Sequence, residues 1–330
     1  MQKDMKKALG LLLPLYENED VRSIFVDAPE KVYVEKGSGV ESTNVTFSSE
    51  ADLEELAEAL FALVGRTKST LGSYADARLE DGTSIRAMFP PVSLGGPALV
   101  IEKMMVDRPT WKDLLTWGCL DVNGLEVVDA LLKTNRTVLV AGNYGSGKTT
   151  LTSLIIDRLP EEKRVIVTEH NVELSLERSR AIRLETTPDL NMDELLIRAN
   201  KLRPDWLAVN ELLGNETKVA LELMRSGTPV IATVNAGDLL DALSRVEQMA
   251  LSASLSFGLT EVRSIVSSAI NYVVYIEKMK NGVRRVLEMS ELTGLDEGRY
   301  RIRPLYRYDV DTDKFIVTNR GKELLASFNQ

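Results

Sequence analysis

Four short apolar runs, at 138–141, 165–168, 207–209 and 230–234, punctuate the second half of the chain, with helical stretches between them. Unbroken apolarity over so few residues predicts strands buried on both faces, and their alternation with helices predicts a parallel α/β sheet. The first half differs. Ile24 and Val26, then Val32 and Val34, alternate as two strands around a turn would. Ser49 is placed to cap a helix whose stripe is Leu53, Leu56, Ala57, Leu60, Leu63 and Val64, and Gly65 is placed to end it. Asp81 and Gly82 separate runs at 75–79 and 84–89, which predicts a hairpin, and 98–103 adds a strand. The expected fold class is α/β. A small N-terminal α+β domain covers 1–104, an interdomain linker with Pro109, Gly118 and Gly124 covers 105–124, and a larger domain with a mainly parallel sheet covers 125–330.

The run at 138–141 leads into the sequence GNYGSGKTT, residues 142–150, and then into the helical stripe Leu151, Leu154, Ile155 and Leu159. Gly142, Gly147, Lys148 and Thr149 fill the spacing of a phosphate-binding loop, and Gly145 adds a residue free to take positive φ. In such a loop successive backbone N–H groups converge on one anion, so Gly142, Asn143, Tyr144, Gly145, Ser146, Gly147, Lys148, Thr149 and Thr150 are the expected nucleotide contacts. Lys148 would reach the β and γ phosphates of a nucleotide, the Thr149 hydroxyl would hold Mg2+, and the helix would turn its positive end to the phosphates. In parallel sheets ligands bind at the carboxyl ends of strands, where Glu169, Glu211 and Asn235 stand. Glu211 could orient a water toward the γ phosphate, and Glu169 or Glu173 could support the Mg2+ shell. His170, the only histidine, has no orienting partner in sequence, and Trp111, Trp117 and Trp206 read as core anchors.

Charge and composition narrow the partners. A net charge of -9 over 330 residues, with no basic block, disfavours nucleic acid. Cys119 is the only cysteine, so the chain cannot form an internal disulfide or a cysteine zinc cluster, which fits a reducing compartment and packing for the thiol. Lys3, Lys6 and Lys7 precede an apolar run at 8–16 in the order of a signal peptide. Pro14 interrupts that run, and Glu17, Glu19 and Asp20 follow it, so the stretch is read as a first helix of the folded domain. No apolar run approaches bilayer length.

The residues resemble the secretion ATPases of the type II/IV superfamily, and within it the tight-adherence (Tad, CpaF-like) pilus motors. The likeness covers nearly the whole chain: DARL at 76–79 with DGTSIR at 81–86, GSGKTT at 145–150, TEHNVEL at 168–174, LRPD at 202–205, RVE at 245–247, ELTG at 291–294 and RPL at 303–305. The resemblance implies a sensor-like N-terminal domain and a RecA-like ATPase domain, with ATP and Mg2+ bound and Arg78 and Arg86 as candidates to reach the nucleotide. It further implies a homo-oligomer in the form of a hexameric ring, or a hetero-oligomer with a related ATPase. Such an assembly would sit in the cytoplasm on an inner-membrane platform protein, driving pilus assembly or secretion. Four positions depart from the family pattern. Thr228 and Asn235 replace the histidines of the family's His box, Leu213 replaces an arginine near Glu211, and Glu102 replaces another, beside Lys103. The departures imply slow hydrolysis, or a catalytically weak nucleotide-binding subunit beside an active relative.

Overall fold

The structure is a computed structural model that describes residues 2–36, 39–67, 72–79, 81–103, 108–187, 189–253 and 258–328. The chain divides into two compact units, Met1–Arg108 and Pro109–Gln330. The expected boundary at 104 and the first residues of the expected linker lie outside the described residues.

The first unit opens with α1 (Gln2–Leu9), a 3-10 turn (Gly10–Leu12) and α2 (Leu13–Glu17). One helix was expected here, and Gly10, at φ +49°, breaks it. Pro14 falls in the first turn of α2, where its missing N–H costs nothing. Then come β1 (Ser23–Ala28), β2 (Lys31–Lys36), β3 (Gly39–Ser42), α3 (Glu50–Ala62), β4 (Tyr74–Arg78), β5 (Ser84–Met88) and β6 (Ala98–Glu102). The strands form one antiparallel sheet in the order β3-β2-β1-β6-β5-β4. Ile24, Val26, Val32 and Val34 are buried together with Leu53, Leu56, Ala57 and Leu60 of α3 in one core. The Ser49 side chain accepts from the Asp52 N–H at 3.2 Å, which starts α3 where the sequence placed its cap. Each leucine buried in this way contributes roughly 1.5–3 kcal/mol.

The second unit runs α4 (Trp111–Thr116), α5 (Val122–Lys133), β7 (Val138–Gly142), α6 (Lys148–Asp157), β8 (Val165–Glu169), β9 (Ala181–Glu185) and α7 (Met192–Lys201). It continues with β10 (Trp206–Asn210), α8 (Glu216–Arg225), β11 (Val230–Asn235), α9 (Leu239–Ser252) and α10 (Leu259–Ala269). β12 (Tyr272–Lys278), β13 (Arg284–Asp296), β14 (Arg299–Asp309), β15 (Lys314–Val317) and α11 (Asn319–Ala326) complete it. The nine-stranded sheet has the order β15-β14-β13-β12-β7-β11-β10-β8-β9. From β12 to β9 every pairing is parallel, and β13, β14 and β15 extend the sheet as an antiparallel meander.

Alternate residues of β7 feed two separate cores. Val138 and Val140 pack with α5 and α6 on one face, and Leu139 and Ala141 pack with α7 to α10 on the other. That explains the unbroken apolar runs, because both faces are covered. The parallel register sets the site, since Asn235 lies level with Gly142 and Asn210 level with Glu169 at the carboxyl end of the sheet. Trp206 is buried as expected, but Trp117 is 57% exposed, so it is no core anchor. Trp111 packs at the core margin with the Arg158 guanidinium 5.5 Å from its ring. Cys119 is buried and free.

Candidate nucleotide site

β7 ends at Gly142 and α6 begins at Lys148, with the glycine-rich loop between them. Gly145 and Gly147 hold φ of +72° and +95°, values that a side chain would disfavour. Gly147 also caps α6 without any side-chain hydrogen bond, so the first-turn N–H groups remain for a ligand. Gly142 is required for a different reason. A Cβ there would stand 2.2 Å from the Ile276 carbonyl oxygen and 2.6 Å from Ser146 Oγ. Ser146 is fully buried, and its Oγ has no hydrogen-bond partner. Backbone that only glycine can follow, an uncapped helix start and an orphaned hydroxyl fit a phosphate group bearing Mg2+.

Lys148 Nζ donates to the Asn143 carbonyl at 3.0 Å and to Asn235 Oδ1 at 2.6 Å. Asn235 Nδ2 in turn donates to Glu211 Oε1. Burial pulls the Lys148 pKa below its usual value, against the opposing charges of Glu211 and Glu173. Those two carboxylates therefore act on the loop lysine. Glu211 follows β10 at φ +70°, and its N–H donates to Thr233 Oγ1 at 2.7 Å.

Glu169 ends β8 level with Asn210, at the same end of the sheet. The sequence suggested it for the metal, but its carboxylate is fully buried and already bonded. Oε1 accepts from the Glu173 and Leu174 N–H groups, both at 2.8 Å, and from Asn210 Nδ2 at 3.4 Å, while Oε2 accepts from Arg183 Nη2 at 3.0 Å. The carboxylate shapes the turn that presents Glu173. His170 Nε2 lies 3.8 Å from Glu216 Oε1, beyond hydrogen-bond reach but within range of a charge interaction. Burial works to raise the Glu216 pKa, yet His170 and the N–H groups of Leu213, Glu216 and Gly214 overcome it and set it at about 2. Glu216 thus clamps the loop after Glu211, where Leu213 is 57% exposed.

In the first unit, Arg86 pairs with Glu102 at 2.9 Å, and Arg78 Nε donates to the Gly82 carbonyl at 2.9 Å. Lys103 Nζ donates to the Tyr16 and Asn18 carbonyls. Nothing local in the sequence marks Thr233, Asn210 or Arg183, because their roles depend on which strands become neighbours. Arg284 was missed for the same reason. At the start of β13, its Nε donates to the Gly145 carbonyl at 3.2 Å, and its Cδ lies 3.0 Å from where a Cβ on Gly147 would stand. Among the described residues no helix is long and apolar enough to cross a membrane.

The family model for Type II/IV secretion system protein matches residues 6–323. A provisionally named conjugal transfer protein of Mycobacterium tuberculosis is 26% identical over 317 residues, covering 91% of this chain and 88% of the relative. The conjugal transfer protein TrbB of Rhizobium radiobacter is 25% identical over 67% of this chain and 68% of its own length. Two solved structures share the fold. The pilus retraction motor PilT with bound ADP gives a TM-score of 0.61 at 17% identity, over 97% of this chain and 88% of that one. The Legionella pneumophila ATPase DotB gives 0.60 at 18% identity, over 90% and 81%.

Proposed function

This chain belongs to the Type II/IV secretion system protein family, and on that premise we propose that it is an ATPase that powers a secretion or pilus machine. The observation that carries the reading is the convergence of Lys148 and Glu211 on one amide, Asn235, at the carboxyl ends of β7, β10 and β11. The loop N–H groups and Lys148 bind and neutralise the phosphates of ATP, and Thr149 and Thr150 lie in the first turn of α6 behind them. The Thr149 hydroxyl is the Mg2+ ligand in this reading, with Glu173 in place of Glu169 as the supporting carboxylate. A Mg2+ ion held there by Thr149, with Glu173 in support, would supply positive charge to offset the charge on the phosphates. Glu211 orients the attacking water, and the clamp from Glu216 fixes the loop that follows it.

The machine is a pilus or type IV secretion system, and the sequence likeness at 291–294 and 303–305 favours the tight-adherence branch. Those two segments pair in the β13–β14 ladder, Glu291 opposite Arg303. The chain works as a homo-oligomeric ring or beside a related ATPase, docked through partners on the cytoplasmic face of a membrane. A second reading, a weakly catalytic nucleotide-binding subunit, is favoured by the exposed Leu213 where the family pattern has arginine. Turnover of Mg-ATP by the purified chain, compared with Glu211→Gln, separates the two. Loss of a measurable rate in the variant supports the ATPase; equal rates contradict it.

A further inference from the structure

We propose that Asn235 is a positioning residue for hydrolysis, because its single amide ties the Lys148 ammonium to the Glu211 carboxylate. The inference rests on the ATPase reading above. Asn235 Oδ1 accepts from Lys148 Nζ at 2.6 Å, and Asn235 Nδ2 donates to Glu211 Oε1. Chemistry fixes the orientation of that amide. Turned over, its NH2 would face an ammonium and its oxygen would face a carboxylate, two repulsive contacts in place of two hydrogen bonds.

β11 supplies more than one handle. Thr233 lies two positions before Asn235 and so projects to the same side of the strand. Thr233 Oγ1 accepts from the Glu211 N–H at 2.7 Å and itself lies 3.3 Å from Asn210 Oδ1. One strand therefore holds Glu211 by its backbone and by its side chain. Glu211 needs both, since its φ of +70° is a region that residues with a side chain rarely adopt. The parallel register with β7 places Asn235 beside Gly142, the first residue of the phosphate loop. An anion that draws Lys148 forward moves Asn235, and Asn235 moves Glu211. Phosphate binding and water alignment are thereby coupled through one side chain.

The test uses the full chain with Asn235→Ala and Asn235→His, each checked for an unchanged melting temperature. Misplacing a catalytic group by about 1 Å costs about 10²-fold, so Asn235→Ala should lower kcat by that order. Its KM for Mg-ATP should stay within about threefold, because the loop and Lys148 remain. In Asn235→His, the imidazole can accept from Lys148 and donate to Glu211 only while neutral. Its kcat should therefore fall on acidification through about pH 6.5, an added limb that the untitratable amide does not give the parent. An alanine variant with kcat within about twofold of the parent, or a histidine variant whose pH profile superimposes on the parent's, overturns this inference and leaves the ATPase reading standing. A parent chain that binds Mg-ATP without turning it over overturns both.

Discussion

Glu169 and Arg183 meet at 3.0 Å in neighbouring parallel strands, with the carboxylate fully buried and the guanidinium side chain 31% exposed. The same carboxylate takes the N–H groups of Glu173 and Leu174, so it builds the turn that carries Glu173. Removing it orphans two donors, that of Leu174 buried and that of Glu173 part-buried, and unpairs a charge, and Glu169→Ala should destabilise the chain by about 3 kcal/mol. Glu173→Gln should act on rate instead, lowering turnover by about 10- to 100-fold. Urea unfolding of both variants beside their turnover checks the division. A stable Glu169→Ala variant would contradict it.

Glu216 predicts an acid limb in stability. Its folded pKa of about 2 lies below the ordinary glutamate value, so the unfolded chain binds more protons between these two values. The stabilisation is fully present above about pH 4.5 and is lost as pH falls toward about 2. The residue is 6% exposed, so water screens this stabilisation little. Denaturant midpoints measured from pH 6 down to pH 3 should fall more steeply for the parent than for Glu216→Gln. Parallel curves would remove Glu216 from its role as the clamp.

How far the sequence reaches is visible in Gly142 and Asn235. Gly142 belongs to a contiguous motif, and both its place after a buried strand and its role in the loop could be read locally. Asn235 stands 87 positions from Lys148 in the chain, and only the pairing of β11 with β7 brings them together. That Glu169 is already engaged was equally hidden, because its partner Arg183 stands on β9. The antiparallel meander escaped notice too. Its strands carry exposed arginines at Arg299, Arg301, Arg303 and Arg307, which mask the apolar pattern that marks the central strands.

Gly142→Ala tests the tightness of the loop. The added Cβ meets a backbone carbonyl of β12 and the buried Ser146 hydroxyl, neither of which is the far end of a flexible side chain. The substitution should cost about 1–3 kcal/mol and weaken nucleotide binding together with stability. Gly145→Ala has open space around its Cβ and only its φ of +72° against it, so its cost should be smaller, about 1 kcal/mol. Thermal melts of the pair with and without Mg-ADP check the order. Gly145→Ala as the more damaging change would contradict it.

Equilibrium binding of Mg-ATP to the parent and to Lys148→Ala, with turnover recorded on the same samples, tests the ATPase account most directly. Burial lowers the folded pKa of Lys148, so the ammonium costs stability at every pH below that value, and the cost disappears as pH rises past the unfolded value. Lys148→Ala should therefore melt no lower than the parent at pH 7 while losing tight Mg-ATP binding. The parent should bind Mg-ATP and turn it over at less than about one per second, if the resemblance holds that puts an arginine in place of Leu213 and a histidine in place of Asn235. A folded Lys148→Ala variant that binds Mg-ATP as tightly as the parent would contradict the account.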